Sequence, residues 1–349
     1  MSGHTARHSP AGAARLARQI LSGWRTQAIH AAVQLQFPDL LAMAPLTADE
    51  LAEASDCDAV ATGRLLRALC VLGVCRERDD GRFRLTRAGR LLCADGGGEG
   101  SSLRPLVEWW GGPLWPVLAN LSYSVRTGLS AREKLMGDEH YRYLDRDAAL
   151  ADTFHGAMRA MTALVSDDVV AWPGWQDVST VVDVGGGHGQ LLLTVLGAHA
   201  HLRGMVFDTA TAQSGARARI DEVGLAARAR FEAGDFFAAL PAGADCYVLK
   251  SILHNWNDEH CSVILDNCWR AAPLNARLLV IERIRPTRMR ECLDDEGVAR
   301  TDLNMLAGLG GRERTFQEYA ELLESAGFTV VASSRTAFEF SLLEVRRRD

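Results

Sequence analysis

Val181-Val182-Asp183-Val184-Gly185-Gly186-Gly187-His188-Gly189 is the stretch whose reading decides the fold. Its β-branched apolar run reads as a buried strand. The run ends in an acid and then breaks into glycines at 185, 186, 187 and 189. Leu191–Leu196 resumes the apolar pattern as the first turns of a helix. Glycine lets the backbone turn sharply and approach a ligand closely. The helix N-terminus beyond presents free N–H groups. Strand, glycine loop and helix in this order hold a small polar ligand at the carboxyl edge of a sheet.

Downstream, strands and helices alternate. The strand candidates are Thr180–Val184, Arg203–Asp208, Ala229–Ala233, Asp245–Leu249, Ala276–Ile284, Phe328–Ser333 and Phe340–Val345. Only a short loop joins the last two, so they should pair antiparallel. This predicts an α/β fold with a doubly wound, seven-stranded Rossmann-like sheet whose final strand is reversed.

Upstream, residues 1–12 read as a loose tail. Arg15–Leu41 has helical spacing at Leu16, Ile20, Trp24, Ile29, Val33 and Leu35, stopped by Phe37-Pro38. Thr47-x-x-Glu50 is a capping box opening a short helix. Asp58 caps a second helix that carries Val60, Leu65, Leu66, Leu69 and Leu72, and Gly73 ends it. Val74–Arg78, the turn Asp79-Asp80-Gly81 and Arg82–Leu85 read as a hairpin. Helix, helix and hairpin make a winged-helix pattern. Residues 94–100 form a flexible break, and Leu103–Val170 is again helical and rich in aromatics.

The totals narrow the function classes. With 349 residues, the chain can hold two domains with cores of their own. The net charge of −6 argues against a polyanion partner such as DNA. None of the eight cysteines forms a C-x-x-C pair, so zinc-ribbon and redox motifs are unsupported. The pattern is that of reduced, structural thiols in a cytoplasmic protein. No apolar run approaches the ~18 residues of a membrane span, and the polar N-terminus is no secretory signal.

The glycine loop alone does not name the ligand. Dinucleotide-binding sheets use G-x-G-x-x-G, whereas here the pattern is Asp-x-Gly-x-Gly-x-Gly, starting at Asp183. Asp208 ends the second strand, where an acid accepts hydrogen bonds from ribose hydroxyls. The third strand ends in Gly234-Asp235-Phe236-Phe237, a carboxylate for an amino group beside a flat apolar face. The fourth ends in Leu249-Lys250-Ser251. Three successive strand ends supply polar groups to one crevice.

With these motifs the chain resembles the class I S-adenosylmethionine-dependent methyltransferases. More narrowly, it resembles the small-molecule O-methyltransferases that include the caffeic acid enzymes and a bacterial antibiotic-pathway branch. The matching residues are Val182–Gly189, Gly234–Phe237, Leu249–Asp258 and Gly310-Gly311-Arg312-Glu313-Arg314-Thr315, together with the winged-helix front half. The resemblance implies S-adenosyl-L-methionine as cofactor, S-adenosyl-L-homocysteine as product, and no metal. It implies that Gly185 and Gly187 meet the methionine part, that Asp183 is among the cofactor-binding residues, and that Asp208 holds the ribose. Asp235 and Phe236 hold the adenine, with Lys250 and Trp256 beside it. Phe154 and Met158 match a Phe-x-x-x-Met beside cofactor and acceptor; ordinary core is the other reading of that pair. Asn304 and Met305 fall where the acceptor is met; a solvated or capping asparagine is the other reading of Asn304. Two positions depart from the pattern. Asp208-Thr209-Ala210 replaces Asp-Leu-Pro, and Asn255 stands where Asp is commoner.

The same resemblance places His254 as general base, with Glu282 and Glu313 flanking it. The chemistry suits those residue types. A phenol ionises near pH ~10, and a neutral imidazole can take its proton as it leaves. Carboxylates beside the ring fix one tautomer and stabilise the imidazolium. The implied organisation is a winged-helix dimerisation domain at 1–100, a helical linker lining the acceptor pocket at 101–175, and the cofactor-binding domain at 176–349. The expected partners are a second copy of the chain and a small aromatic hydroxylated substrate (a polyketide, phenazine or phenol), with neither nucleic acid nor membrane. Three rivals are weighed against this. A nicotinamide reductase fails on the shifted glycines. A winged-helix DNA-binding regulator fails on the weakly basic helix Asp58–Leu72. A decarboxylase or hydroxylase on the methyltransferase fold keeps the cofactor motifs, but it does not account for the retained His254, Glu282 and Glu313.

Overall fold

The computed structural model describes residues 10–98, 101–137 and 141–348, which fall into one unit ending at Trp115 and another beginning at Pro116. In the first unit, the Thr47 hydroxyl accepts from the Glu50 N–H at 3.2 Å and the Glu50 carboxylate accepts from the Thr47 N–H at 2.8 Å. This reciprocal cap opens the helix Ala48–Ala54. Asp58 caps Ala59–Val71, and Gly73 leaves that helix at φ +74°. Strands β1 (Cys75–Glu77) and β2 (Phe83–Leu85) then pair antiparallel. Helices and hairpin close on a core that includes Phe37, Leu51, Leu66, Leu69 and Phe83.

Two expectations are corrected here. The first helix, Pro10–Ile20, begins inside the segment read as a tail; residues 1–9 lie outside the described residues. Arg15–Leu41 is not one helix. It continues through a 3-10 turn, Leu21–Gly23, into Trp24–Gln34, and then restarts as Phe37–Met43 after Gln36 at φ 57°. Pro38 opens the new helix instead of only stopping the old one, because its missing N–H is not needed in a first turn. In the segment 94–100, Gly96–Gly98 forms a 3-10 turn, and residues 99 and 100 lie outside the described residues.

Close backbone packing joins Trp24–Gln34 to Arg104–Gly111. A Cβ at Gly111 would stand 2.4 Å from Cγ of His30. Gly111→Ala is expected to destabilise this unit by about 1–3 kcal/mol. The readout is a lower urea midpoint at unchanged slope.

The second unit carries the sheet. Its strands are β3 (Thr180–Val184), β4 (Arg203–Asp208), β5 (Ala229–Ala233), β6 (Cys246–Lys250), β7 (Arg277–Glu282), β8 (Phe328–Arg335) and β9 (Ser341–Arg347). The order is β5-β4-β3-β6-β7-β9-β8. β3 to β7 run parallel, and β9 lies antiparallel between β7 and β8. The central strands are covered on both faces and mostly buried, while the edge strands β5 and β8 carry exposed polar residues. Val182, Val184, Tyr247, Leu249 and Val280 point to one core, while Val181, Val206, Val248, Leu279 and Ile281 point to the other. Among the described residues no helix is long and apolar enough to cross a membrane.

Candidate active site

β4 and β5 extend the sheet on one side of β3, and β6 and β7 extend it on the other. Open α/β sheets form their ligand crevice at such a reversal. A cavity of about 400 Å³ opens there, at the carboxyl ends of the parallel strands. Its floor is the glycine loop, with Gly185, Gly187 and Gly189 at φ +68°, +56° and +79°. A Cβ at Gly185 would stand 2.4 Å from Cδ1 of Ile252. The Gly187 N–H donates to Asp208 Oδ2 at 2.7 Å, tying the loop to the end of β4. Asp208 Oδ1 accepts from the N–H and the hydroxyl of Thr209 at 2.6 and 3.2 Å. The Asp208-Thr209-Ala210 departure thus builds a polar turn.

At the other end the walls are aromatic. Asp235 Oδ1 accepts from the Phe237 N–H at 2.8 Å, which turns the chain after β5. The rings of Phe236 and Phe237 stand 4.8 Å apart, edge to face, and Phe237 meets Trp256 the same way at 4.7 Å. Deeper in the cavity, burial and then the charge of Asp208 push the Asp183 carboxyl up to about 7. Burial and then Arg283 push Lys250 down to about 8. Each of these two groups favours the charged form of the other.

Beside the cavity, Ser251 takes a left-handed φ of 56°, uncommon for a residue with a Cβ. The 3-10 turn Leu253–Asn255 follows. Ile252, Asn255 and Trp256 line the cavity, while His254 is buried against Glu282 and Glu313. Its Nδ1 lies 3.1 Å from Glu313 Oε1 and 3.7 Å from Glu282 Oε2. Glu282 Oε1 accepts the backbone N–H groups of Ile252, Leu253 and His254 at 3.0, 2.8 and 3.4 Å, so it shapes the turn as well. The Glu313 N–H donates to Asp302 at 2.8 Å. Burial opposes the imidazolium, but Glu282 and Glu313 outweigh it, and His254 sits above its ordinary value. Burial raises Glu282, to which the charge of Glu313 adds. Burial acts on Glu313 too, but His254 and Arg283 reverse it, and that carboxyl stays below the usual range. Donor atoms of the three lie within 4.8 Å of one another, so spacing alone admits a metal ion. The Nδ1 hydrogen bond and the three N–H donors satisfy part of the group, while Glu282 Oε2 and Glu313 Oε2 are buried without a hydrogen-bond partner among the described residues.

Asp183, Gly185, Gly187, Asp208, Asp235, Phe236, Lys250 and Trp256 all line the one cavity, and Phe154 and Met158 face it from the helix Ala148–Val170. His254, Glu282, Glu313, Asn304 and Met305 are not on that wall. Asn304 has a buried Oδ1 without a hydrogen-bond partner among the described residues, and Met305 is buried. Sequence reasoning missed Tyr141, His155, Arg159 and Thr211, all of which line the cavity. The signal for His155 and Arg159 was available: four apart, they repeat the Phe154–Met158 spacing one residue on. His155 stacks on His188 of the glycine loop at 4.4 Å. Burial pushes His155 down, and burial with His155 pushes His188 down to about 4, so both rings are neutral at pH 7.

The second unit thus combines an open α/β sheet, a glycine loop at a cavity, and a buried His–Glu group beside it. Residues 118–329 match the O-methyltransferase domain model, and residues 18–95 match the O-methyltransferase dimerisation domain. The chain belongs to this O-methyltransferase family. It is 37% identical over 353 residues to O-demethylpuromycin-O-methyltransferase of Streptomyces alboniger, covering 98% of this chain and 93% of that one. It is 36% identical over 332 residues to the aclacinomycin 10-hydroxylase RdmB of Streptomyces purpurascens, covering 91% and 86%. A similar solved structure is an O-methyltransferase from neocarzinostatin biosynthesis in complex with S-adenosylmethionine and 2-hydroxy-5-methyl naphthoic acid. That likeness has 32% identity and a TM-score of 0.75, over 92% of this chain and 95% of the other.

Proposed function

We propose that the chain transfers the methyl group of S-adenosyl-L-methionine to a hydroxyl of an aromatic secondary metabolite, leaving S-adenosyl-L-homocysteine. The observation that carries this is one cavity fed by three strand ends, with a histidine–carboxylate pair set in the turn that forms its wall. Its residues fit the cofactor. Glycines at 185 and 187 leave room for a close approach, Asp208 is an acceptor for ribose hydroxyls, and Asp235 with Phe236 offers a carboxylate and a flat face to adenine. Lys250 and Trp256 stand beside that ring, and Asp183 is the acid behind the loop. When bound, S-adenosyl-L-methionine supplies a methyl group already activated on a sulfonium.

The remaining work falls to the acceptor side. A carboxylate only accepts, so the Nδ1 facing Glu313 carries the proton, and Nε2 of the neutral ring is the free base. In this reading Nε2 takes the hydroxyl proton as the acceptor oxygen gains negative charge, and Glu313 and Glu282 stabilise the resulting imidazolium. Phe154, Met158, Asn304 and Met305 shape the acceptor site. The division into residues 1–100, 101–175 and 176–349 follows these roles. The substrate class is a polyketide, phenazine or phenol with a free hydroxyl. The test is incubation of aromatic hydroxyl compounds with methyl-labelled S-adenosylmethionine, followed by product mass. Absence of any calorimetric heat with S-adenosylmethionine or S-adenosylhomocysteine would sink the reading. No metal takes part in it, so EDTA treatment is expected to leave the rate unchanged; a loss restored by a divalent cation would assign His254, Glu282 and Glu313 to a metal instead.

The identity to a hydroxylase favours a second reading, in which the cofactor binds but the product gains no methyl. Product mass separates the two. We also read the chain as a cytoplasmic homodimer. Leu16, Ile20, Leu21 and Trp24 are 57%, 72%, 67% and 44% exposed along one short stretch, an apolar surface that a second copy would cover. Light scattering is expected to give twice the 38.0 kDa chain mass; a monomer would contradict it.

A further inference from the structure

Arg283 follows the last residue of β7 and is 4% exposed. Two contacts hold it. Its Nε donates to Glu339 Oε2 at 3.0 Å. Its guanidinium carbon lies 4.0 Å from the centroid of the Phe340 ring, over which Lys250 Nζ also stands at 5.0 Å. Glu339, a non-glycine residue at φ 55°, is itself fixed by Arg300, whose Nη2 donates to its two oxygens at 2.8 and 3.1 Å. On the other side, Ile284 pairs in parallel with Arg314, and the Arg285 N–H donates to Arg314 O at 2.9 Å. The same register sets Arg283 alongside Glu313. Its Nη2 is buried without a hydrogen-bond partner among the described residues. A buried guanidinium left partly unpaired is costly, and Glu339 engages only one edge of this one.

We propose that Arg283, anchored by Glu339 and set alongside Glu313, is a positioning residue for the methyl transfer: its buried charge acts on the Glu313–His254 pair and sets the field that the imidazole meets. The inference rests on the reading of His254 as base. A fixed cation favours the ionised form of Glu313 and disfavours the imidazolium, so it keeps the ring free to accept the acceptor's proton. His254 faces Glu282 from β7, Glu313 from the segment before the helix Phe316–Ser325, and Arg283. The two glutamates also face Tyr319 from that helix, and Glu282 faces Cys261 and Tyr141. Arg283 faces Glu339, Arg300 and Lys250 as well.

The experiment is an NMR titration of ring-labelled histidine in the full chain, with His254 assigned through His254→Asn, alongside the pH profile of kcat/KM. In Arg283→Met the proton affinity of His254 is expected to rise about tenfold, and the acid limb of kcat/KM should move up in pH with it. Arg283→Lys, which keeps the charge, should restore both. Should Arg283→Met fail to fold, Arg283→Gln gives the same comparison with a polar atom left for Glu339. An unmoved His254 titration in a folded variant overturns the proposal, as does a shift that lysine does not reverse. If the titration moves but the acid limb stays, Arg283 acts on the ring as proposed and it is the assignment of His254 as base that fails.

Discussion

Replacing His254 with alanine lowers kcat by about 10²–10⁴-fold, the range that a positioned general base contributes. Affinity for S-adenosylhomocysteine, read by calorimetry, is expected to hold, because His254 does not line the cofactor cavity. The wild-type profile carries the sign of the same group. Buried beside two glutamates, the ring titrates above its ordinary value. Activity therefore falls as the pH drops through that raised point, where the base becomes protonated. The limb should vanish from the residual activity of the alanine variant. Glu313→Gln, which takes the charge from the Nδ1 partner, should move the limb downward. Unchanged turnover in His254→Ala would make the histidine a packing residue and leave the acceptor to ionise unaided.

Asp208→Ala is expected to act on the other substrate. The carboxylate holds the Gly187 N–H at 2.7 Å and caps Thr209, so its loss loosens the loop as well as the ribose site. Hydrogen bonds to a charged group contribute about 1.5–3 kcal/mol, and every 1.4 kcal/mol is tenfold in affinity. KM for S-adenosylmethionine should rise about a hundredfold, with kcat at saturation largely kept. Asp208→Asn should fall between the two, since an amide oxygen can still accept from Gly187. Isothermal titration with S-adenosylhomocysteine reads the loss directly. An affinity within threefold of wild type would remove Asp208 from the cofactor site.

The parts of this site that were legible in the sequence are those where backbone constraint and residue type coincide. Gly185, Gly187 and Gly189 all require positive φ, so their spacing announced the loop. Asp208 and Asp235 end apolar runs, and a strand end is where a sheet of this kind presents its ligands. The strands Thr180–Val184 and Arg203–Asp208 were legible to the residue because each carries a buried β-branched or apolar centre, and Ala229–Ala233 because its buried and exposed residues begin in alternation. The front helix was less so, because a proline that can open a helix looks the same in sequence as one that stops it. His155 and Arg159 repeat the Phe154–Met158 spacing one residue on, yet they were passed over because a helix with apolar residues on most sides does not by itself set one stripe apart. Arg283 could not be singled out from its neighbours. Its meaning comes from the register of Ile284 with Arg314 and from Phe340 on a reversed strand, both of them contacts between distant segments.

The placement of β9 also bears on how the protein is made. β8 pairs only with β9, and β7 lacks its outer partner until β9 arrives. Until Ser341–Arg347 has emerged and paired, β7 keeps an open edge and β8 has no strand partner. Glu339 and Phe340, which seat Arg283, are delivered in the same late step. In that window the open β7 edge invites strand-to-strand aggregation, and slow emergence of that hairpin should cost yield of soluble protein.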